Sequence, residues 1–218
     1  MLEKEFTTLN FPKDYQVGWL FGINRKSNQY DKNVFYADAI DQVNVPSDIS
    51  IMLNVDSQAA LSMRWLTEIE STQLKQLYLG QTKINNENIQ FISHLTSLEM
   101  LSFCHVYENI NDLGTHYLRS LINMRKLYLN STDIGNITLS YLSNMHQLEY
   151  LSIGATNVTD NGLKHLYRLS SLKEISFDLA YSGGRRNYVT LKGIEDLQYC
   201  LPECKITVSD LSYLLSDG

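Results

Sequence analysis

The sequence predicts a single right-handed α/β solenoid of strand–helix units, with a parallel sheet on its concave face and a small β-rich cap at its N-terminal end. Three observations carry this expectation. From Leu74 to Val208 the chain repeats about every 24 residues. Inside each repeat the apolar spacing changes from two to three or four residues. The stretches flanking the repeats are apolar and aromatic but break the period, as terminal caps should.

In register, the strand segments read LKQLYLGQTKI from Leu74, LEMLSF from Leu98, MRKLYLNSTDI from Met124, LEYLSIGATNV from Leu148 and LKEISF from Leu172. Alternation sends Leu77 and Leu79 to one side and Tyr78 to the other. The equivalent inward pairs are Leu101 and Phe103, Leu127 and Leu129, Leu151 and Ile153, and Ile175 and Phe177. The second half of each unit has helical spacing: Ile89, Ile92 and Leu95 share a face, as do Leu139, Leu142 and Met145, and Leu163, Leu166 and Leu169. One unit cannot bury its own apolar face, whereas a stack makes a continuous core. With this L-x-x-L-x-L pattern, the fold class is a leucine-rich-repeat solenoid.

The expected organisation is an N-terminal cap over 1–49, repeats over 50–208 and a C-terminal cap over 209–218. Units start near residues 50, 74, 98, 124, 148 and 172, with a last partial unit from 203. In the first cap, residues 17–23 and 33–37 read as a hairpin around a polar turn. Trp19 and Trp65 are expected to seal this end of the core.

Thr82, Thr132 and Thr156 occupy the turn after the strand, where a hydroxyl can satisfy backbone groups or ladder with its neighbours. Ile84, Ile134 and Val158 follow as inward plugs, and Thr159 or Asp160 is the expected cap of the next helix. The run Thr156-x-Val158-Thr159-Asp160-x-Gly162-Leu163-x-x-Leu166 resembles the T-x-I-T-D-x-G-L-x-x-L repeat of bacterial leucine-rich-repeat proteins. It is most similar to the 24-residue GALA-like type, which is related to the cysteine-containing class. Val189 to Leu197 is a weaker copy. The resemblance spans about two-thirds of the chain and implies the fold; the family includes effectors and receptors. Its plant-pathogen members carry an F-box helix pair ahead of the repeats, whereas residues 1–70 here read as strands.

Two irregularities interrupt the period. The unit from Leu98 is two residues longer, with the surplus read at 104–107, and the unit from Leu172 gains about seven residues, at 180–188. Insertions in solenoids emerge as loops, often on the binding face. Cys104 and His105 in the first loop, and Tyr181, Arg185, Arg186 and Tyr188 in the second, are therefore candidate contacts. The arginines and tyrosines suit acidic or carboxylate groups.

The formal net charge of −6 gives no basic footprint, so nucleic acid is not the expected partner. The first residues lack the apolar core of a signal peptide, and no stretch approaches a membrane span. Cys104, Cys200 and Cys204 form no paired zinc spacing and fit free thiols in a reducing cytoplasm. Cys200 falls where other repeats place the last helical Leu or Met, which reads as a buried position. The five histidines occupy different places in the repeat frame, so no metal column forms. No phosphate loop or nucleophile elbow occurs, so no cofactor is implied.

Outward strand residues should stack into columns. The first holds Gln76, Met100, Lys126, Tyr150 and Glu174. The second holds Tyr78, Ser102, Tyr128, Ser152 and Ser176, and the third Gly80, Cys104, Asn130, Gly154 and Asp178. Tyrosine is favoured at interface hot spots, and Lys126 with Glu174 and Asp178 would orient a partner of mixed charge. The expected function is non-catalytic binding of a protein partner on this face by a monomer. Two alternatives are a thiol-dependent enzyme using Cys104 and His105, and structural assembly through the solenoid ends.

Overall fold

A computed structural model describes residues 5–23, 34–69, 72–106, 109–177 and 188–208. Eleven strands occur among them: β1 Phe6–Asn10, β2 Gly18–Gly22, β3 Val34–Asp38, β4 Gln42–Pro46, β5 Ile51–Val55, β6 Leu74–Tyr78, β7 Met100–Ser102, β8 Lys126–Tyr128, β9 Tyr150–Ser152, β10 Glu174–Ser176 and β11 Lys205–Thr207. β1 and β4 make a small antiparallel sheet. The other nine form one sheet in the order β11-β10-β9-β8-β7-β6-β5-β2-β3. It is parallel from β5 to β11 and antiparallel where β2 joins β5 and β3. This is the leucine-rich-repeat solenoid that the repeat predicts.

The inward pairs from Leu77 and Leu79 through Ile175 and Phe177 are all buried in one continuous core. Each such Leu or Phe contributes roughly 1.5–3 kcal/mol by leaving water. The opposite side is built from short helices that run on as 3-10 or hydrogen-bonded turns. They are α1 Asn86–Ile89, α2 Asp112–Thr115, α3 Asn136–Leu142, α4 Asp160–Leu163 and α5 Leu191–Cys200. A repeat near 24 residues leaves little length for regular helix, so the expected helical faces are buried mainly by one α-turn and its tight continuation.

The threonine turns behave as single-repeat staples. Thr82, Thr132 and Thr156 donate to the carbonyls of Leu79, Leu129 and Ile153 at 2.7, 2.6 and 2.8 Å. They bond their own strand ends rather than one another. Just before each lies a residue in the left-handed region: Gln81, Ser131 and Ala155, with His105 in the same place at φ 59°.

That periodicity corrects the first insertion. Cys104, His105 and Val106 hold the regular turn positions, Val106 standing where the threonine is elsewhere. Ile110 is the buried inward plug, so the extra chain comes between Val106 and Ile110. The backbone identifies this where the sequence does not, because Val106 lacks the hydroxyl that marks the slot.

Helix capping runs between repeats. The first residue of each short helix reaches the N-cap of the next: Asn86 Oδ1 accepts from Asn111 N at 3.0 Å, Asp112 Oδ1 from Gly135 N at 2.8 Å, Asn136 Oδ1 from Thr159 N at 2.9 Å and Asp160 Oδ1 from Thr190 N at 2.8 Å. Thr159 is the N-cap of α4, as one expectation had it, but its side chain makes no bond to its own helix. Asp160 instead serves α5. In three of the four receiving helices the third position is glycine, where a Cβ on Gly114, Gly162 or Gly193 would lie 2.4, 2.4 or 2.1 Å from the preceding repeat's Asx oxygen; α3 instead has Thr138 there, whose N–H and hydroxyl donate to Asp112 Oδ1.

Two expectations about buried residues are corrected. Trp65 does seal the core, packed near Phe11 and donating to Ala59 O at 3.3 Å. Trp19 does not: it is 37% exposed and lies on the sheet face opposite buried Leu20. Cys200 is exposed, while Leu201 and Cys204 are buried beside it, because α5 runs to Cys200 before the chain turns inward. Among the described residues no helix is long and apolar enough to cross a membrane. The expected C-terminal cap at 209–218 lies outside them.

Candidate functional site

Parallel pairing without slippage from β6 to β11 sets the geometry of the concave face. Gln76 pairs with Met100, Met100 with Lys126, Lys126 with Tyr150 and Tyr150 with Glu174. Beside them run Tyr78, Ser102, Tyr128, Ser152 and Ser176. Core leucines lock this register, since a one-residue slip would turn each of them to water.

Alignment does not make every member accessible. Met100 and Ser102 are each 1% exposed, and Ser152 is also buried. These three underlie the surface, which corrects their expected role as presented contacts. Gln76, Tyr78, Lys126, Tyr128, Tyr150 and Glu174 remain partly accessible.

The tyrosines are held in place. Tyr128 and Tyr150 stand on adjacent strands with ring centroids 4.9 Å apart and planes tilted by 35°, within the range of favourable aromatic pairs. A Cβ at Gly80 would meet Cζ and Oη of Tyr78 at 2.8 Å, so the missing side chain lets that ring lie along the turn. Burial raises the Tyr78 pKa, and the nearby Cys104 adds to the shift. Burial also raises that of Tyr150, helped by Glu174, against hydrogen bonds from Ser176 and Ser152 that lower it.

Between these rings lies a small polar network. Ser102 Oγ donates to Cys104 Sγ at 3.2 Å, the thiol donates to Asn130 Oδ1 at 3.2 Å, and Ser152 Oγ donates to the same oxygen at 3.2 Å. Burial raises the Cys104 pKa despite the lowering effect of the Ser102 hydrogen bond. A nucleophilic cysteine needs the opposite shift. His105, adjacent in sequence, has its backbone in the left-handed turn at φ 59°.

A feature missed in the sequence runs along the N-terminal ends of the strands. Lys75, Glu99, Arg125, Glu149 and Lys173 alternate in sign along a groove of about 710 Å³. Lys75 lies 3.6 Å from Glu99, Arg125 Nε donates to Glu149 Oε1 at 2.8 Å, and Lys173 Nζ lies 2.8 Å from Glu149 Oε2. Burial alone would raise the Glu149 pKa, but Lys173 and Arg125 outweigh it and hold the carboxyl below its usual value. The signal was present in sequence as alternating charge at one frame position.

Tyr188 is exposed at the bridge leading into α5. Asp178, Tyr181, Arg185 and Arg186 lie outside the described residues. Among those residues no group of three or more His, Cys, Asp or Glu could hold a metal ion.

No protein-family model matches the chain, and no curated protein does. Solved structures do match. Internalin C2 of Listeria monocytogenes is 25% identical, with a TM-score of 0.51 over 72% of this chain and 62% of that one. The TLR13–ssRNA13 complex is 17% identical, with a TM-score of 0.50 over 73% of this chain and 21% of that one. A Leptospira interrogans leucine-rich-repeat protein is 18% identical, with a TM-score of 0.39 over 64% and 44% of the two chains. The chain thus spans less than two-thirds of the length of each.

Proposed function

We propose that this chain is a non-catalytic recognition module that binds a protein partner on its concave strand face. The observation that carries the reading is the Tyr128–Tyr150 pair, fixed by strand register and still open to solvent on one side. Rigid, amphipathic rings held in their bound orientation lose little entropy on association. Lys126 and Glu174 flank Tyr150 in its column and supply both signs of charge, and Gln76 and Tyr78 extend the face two strands beyond Tyr128. The TLR13 structure is a complex with single-stranded RNA, but a net charge of −6 and this mixed face favour protein here.

The threonine staple and the glycine at the third helical position support a 24-residue T-x-I-T-D-x-G-L repeat type. Free thiols at Cys104, Cys200 and Cys204 support a reducing compartment, the cytoplasm of a bacterium or of a host cell after export. Crosslinking in native extract would identify the partner, which would then be purified and titrated against the chain. Tyr128→Ala with Tyr150→Ala should weaken binding by roughly ten-fold or more, as expected for hot-spot aromatics. Unchanged affinity in that double variant would overturn the reading.

A further inference from the structure

The columns of the strand face do not stop at the first repeat. Asn54 and Met52 of β5 pair with Tyr78 and Gln76 of β6. On the other side of β5 they pair with Trp19 and Phe21 of β2, which in turn pair with Asp38 and Phe35 of β3. A register shift between Leu20 and Phe21 absorbs one residue, which sends Tyr36 towards the core and returns Phe35 to the side of Phe21. Phe21 and Phe35 meet edge-to-face at 6.0 Å, and Phe35 is 55% exposed. Trp19 stands beside exposed Asp38, directly opposite it across an antiparallel pair, where side chains sit about 5 Å apart. Gln16 Nε2 donates to Asp38 Oδ1 at 3.0 Å and orients the carboxylate.

From these observations, and resting on the reading of the strand face as a protein-binding surface, we infer that Trp19, Phe21, Phe35 and Asp38 form a second contact area for a partner segment carrying Lys or Arg between apolar residues. An indole face and a carboxylate together suit a cation with an apolar stem, since the ring quadrupole attracts the charge and the stem packs on the ring. The surroundings match that charge. Over residues 1–56 the sequence holds eight carboxylates against five Lys and Arg, a net charge of −3, and Lys13, the one of these cations among the described residues, lies 3.9 Å from Asp41. β3 is also the edge strand of the sheet among the described residues, so an approaching segment can lie alongside it. A partner that spans both areas gains avidity from the tyrosine pair and direction from the cap.

The test uses the full chain, isotope-labelled for NMR, with its two indole N–H signals assigned by Trp19→Phe. The probes are the acetylated, amidated pentapeptide Leu-Arg-Leu-Arg-Leu and its counterpart with Glu in place of Arg. The arginine peptide should move the Trp19 signal saturably while the Trp65 signal stays put. Affinity should fall roughly five-fold in Asp38→Asn, as for loss of one charge contact beside a ring, and fall again in Phe35→Ala. No Trp19 response, an equal response to the glutamate peptide, or unchanged affinity in Asp38→Asn would overturn the inference. So would a Trp19 shift that follows protein concentration alone, which would mean a second copy occupies the site. The titration reads the cap without the native partner, so its failure leaves the Tyr128 and Tyr150 result standing, and the reverse.

Discussion

Tyr128 and Tyr150 lie on neighbouring strands yet in different columns, so their 4.9 Å ring contact is a diagonal one. Lys126 faces Tyr150 across one strand gap and Ser152 faces Tyr128 across the same gap. The small serine is what gives the two rings room to meet. Burial, then Glu174, keeps the Tyr150 phenol protonated beyond its usual range. A raised pKa for an acid means stability that is full below the unfolded value and is lost as pH rises through the folded one. Phenolate absorbance should therefore show a late-titrating component that Tyr150→Phe reduces. Identical titration curves for the two chains would contradict this placement.

The cysteines should differ in reactivity. Cys200 is exposed, Cys104 has its pKa raised by burial and donates to Asn130, and burial pushes the Cys204 thiol up to about 11. At mildly alkaline pH, alkylation followed by peptide mass mapping should mark Cys200 first and the other two slowly. Fast labelling of Cys104 would revive the thiol-enzyme reading.

Inter-repeat capping predicts a coupled pair. In Gly193→Ala the new Cβ meets Asp160 Oδ1 at 2.1 Å and displaces it from Thr190. The cost should be about 1–3 kcal/mol by urea unfolding, overcoming the usual gain of Ala over Gly in a helix. Asp160→Ala alone should cost about 1 kcal/mol. Combined, the two should cost clearly less than their sum, because the first has already removed what the second loses. Strict additivity would show that the Asp160–Thr190 bond contributes nothing to capping.

The alternating rim predicts an acid sensitivity. Glu149 titrates below its usual value in the fold, so its pairing with Lys173 and Arg125 stabilises above the unfolded pKa and is lost as pH falls through the folded one. Glu149→Gln should lower stability near neutrality by under about 1 kcal/mol, given the exposure of its partners, and by less in acid. A difference that grew on acidification would refute the assignment.

Much of this is legible in the sequence. Leu77 to Phe177 alternate strictly, so the columns and their pairing follow from counting, and the structure reproduces them from Gln76 to Glu174. Accessibility was not legible, because whether Met100 is covered depends on how far neighbouring side chains reach. The cap was harder. Trp19 reads as a core residue by its hydrophobicity, and its face is set by β2 pairing and the shift after Leu20, which no repeat reports. The role of Asp160 was hidden for a similar reason, since its partner Thr190 lies 30 residues away beyond an insertion.

The most direct test of the central claim is hydroxyl-radical footprinting of the chain with its purified partner, read residue by residue by mass spectrometry. The strand-face reading predicts strong protection of Tyr78, Tyr128 and Tyr150 in the complex, with Leu113 and Ile137 on the helical side still oxidised as in the free chain. Protection of Leu113 and Ile137 with the three tyrosines unchanged would contradict it and move the binding surface to the opposite side of the solenoid.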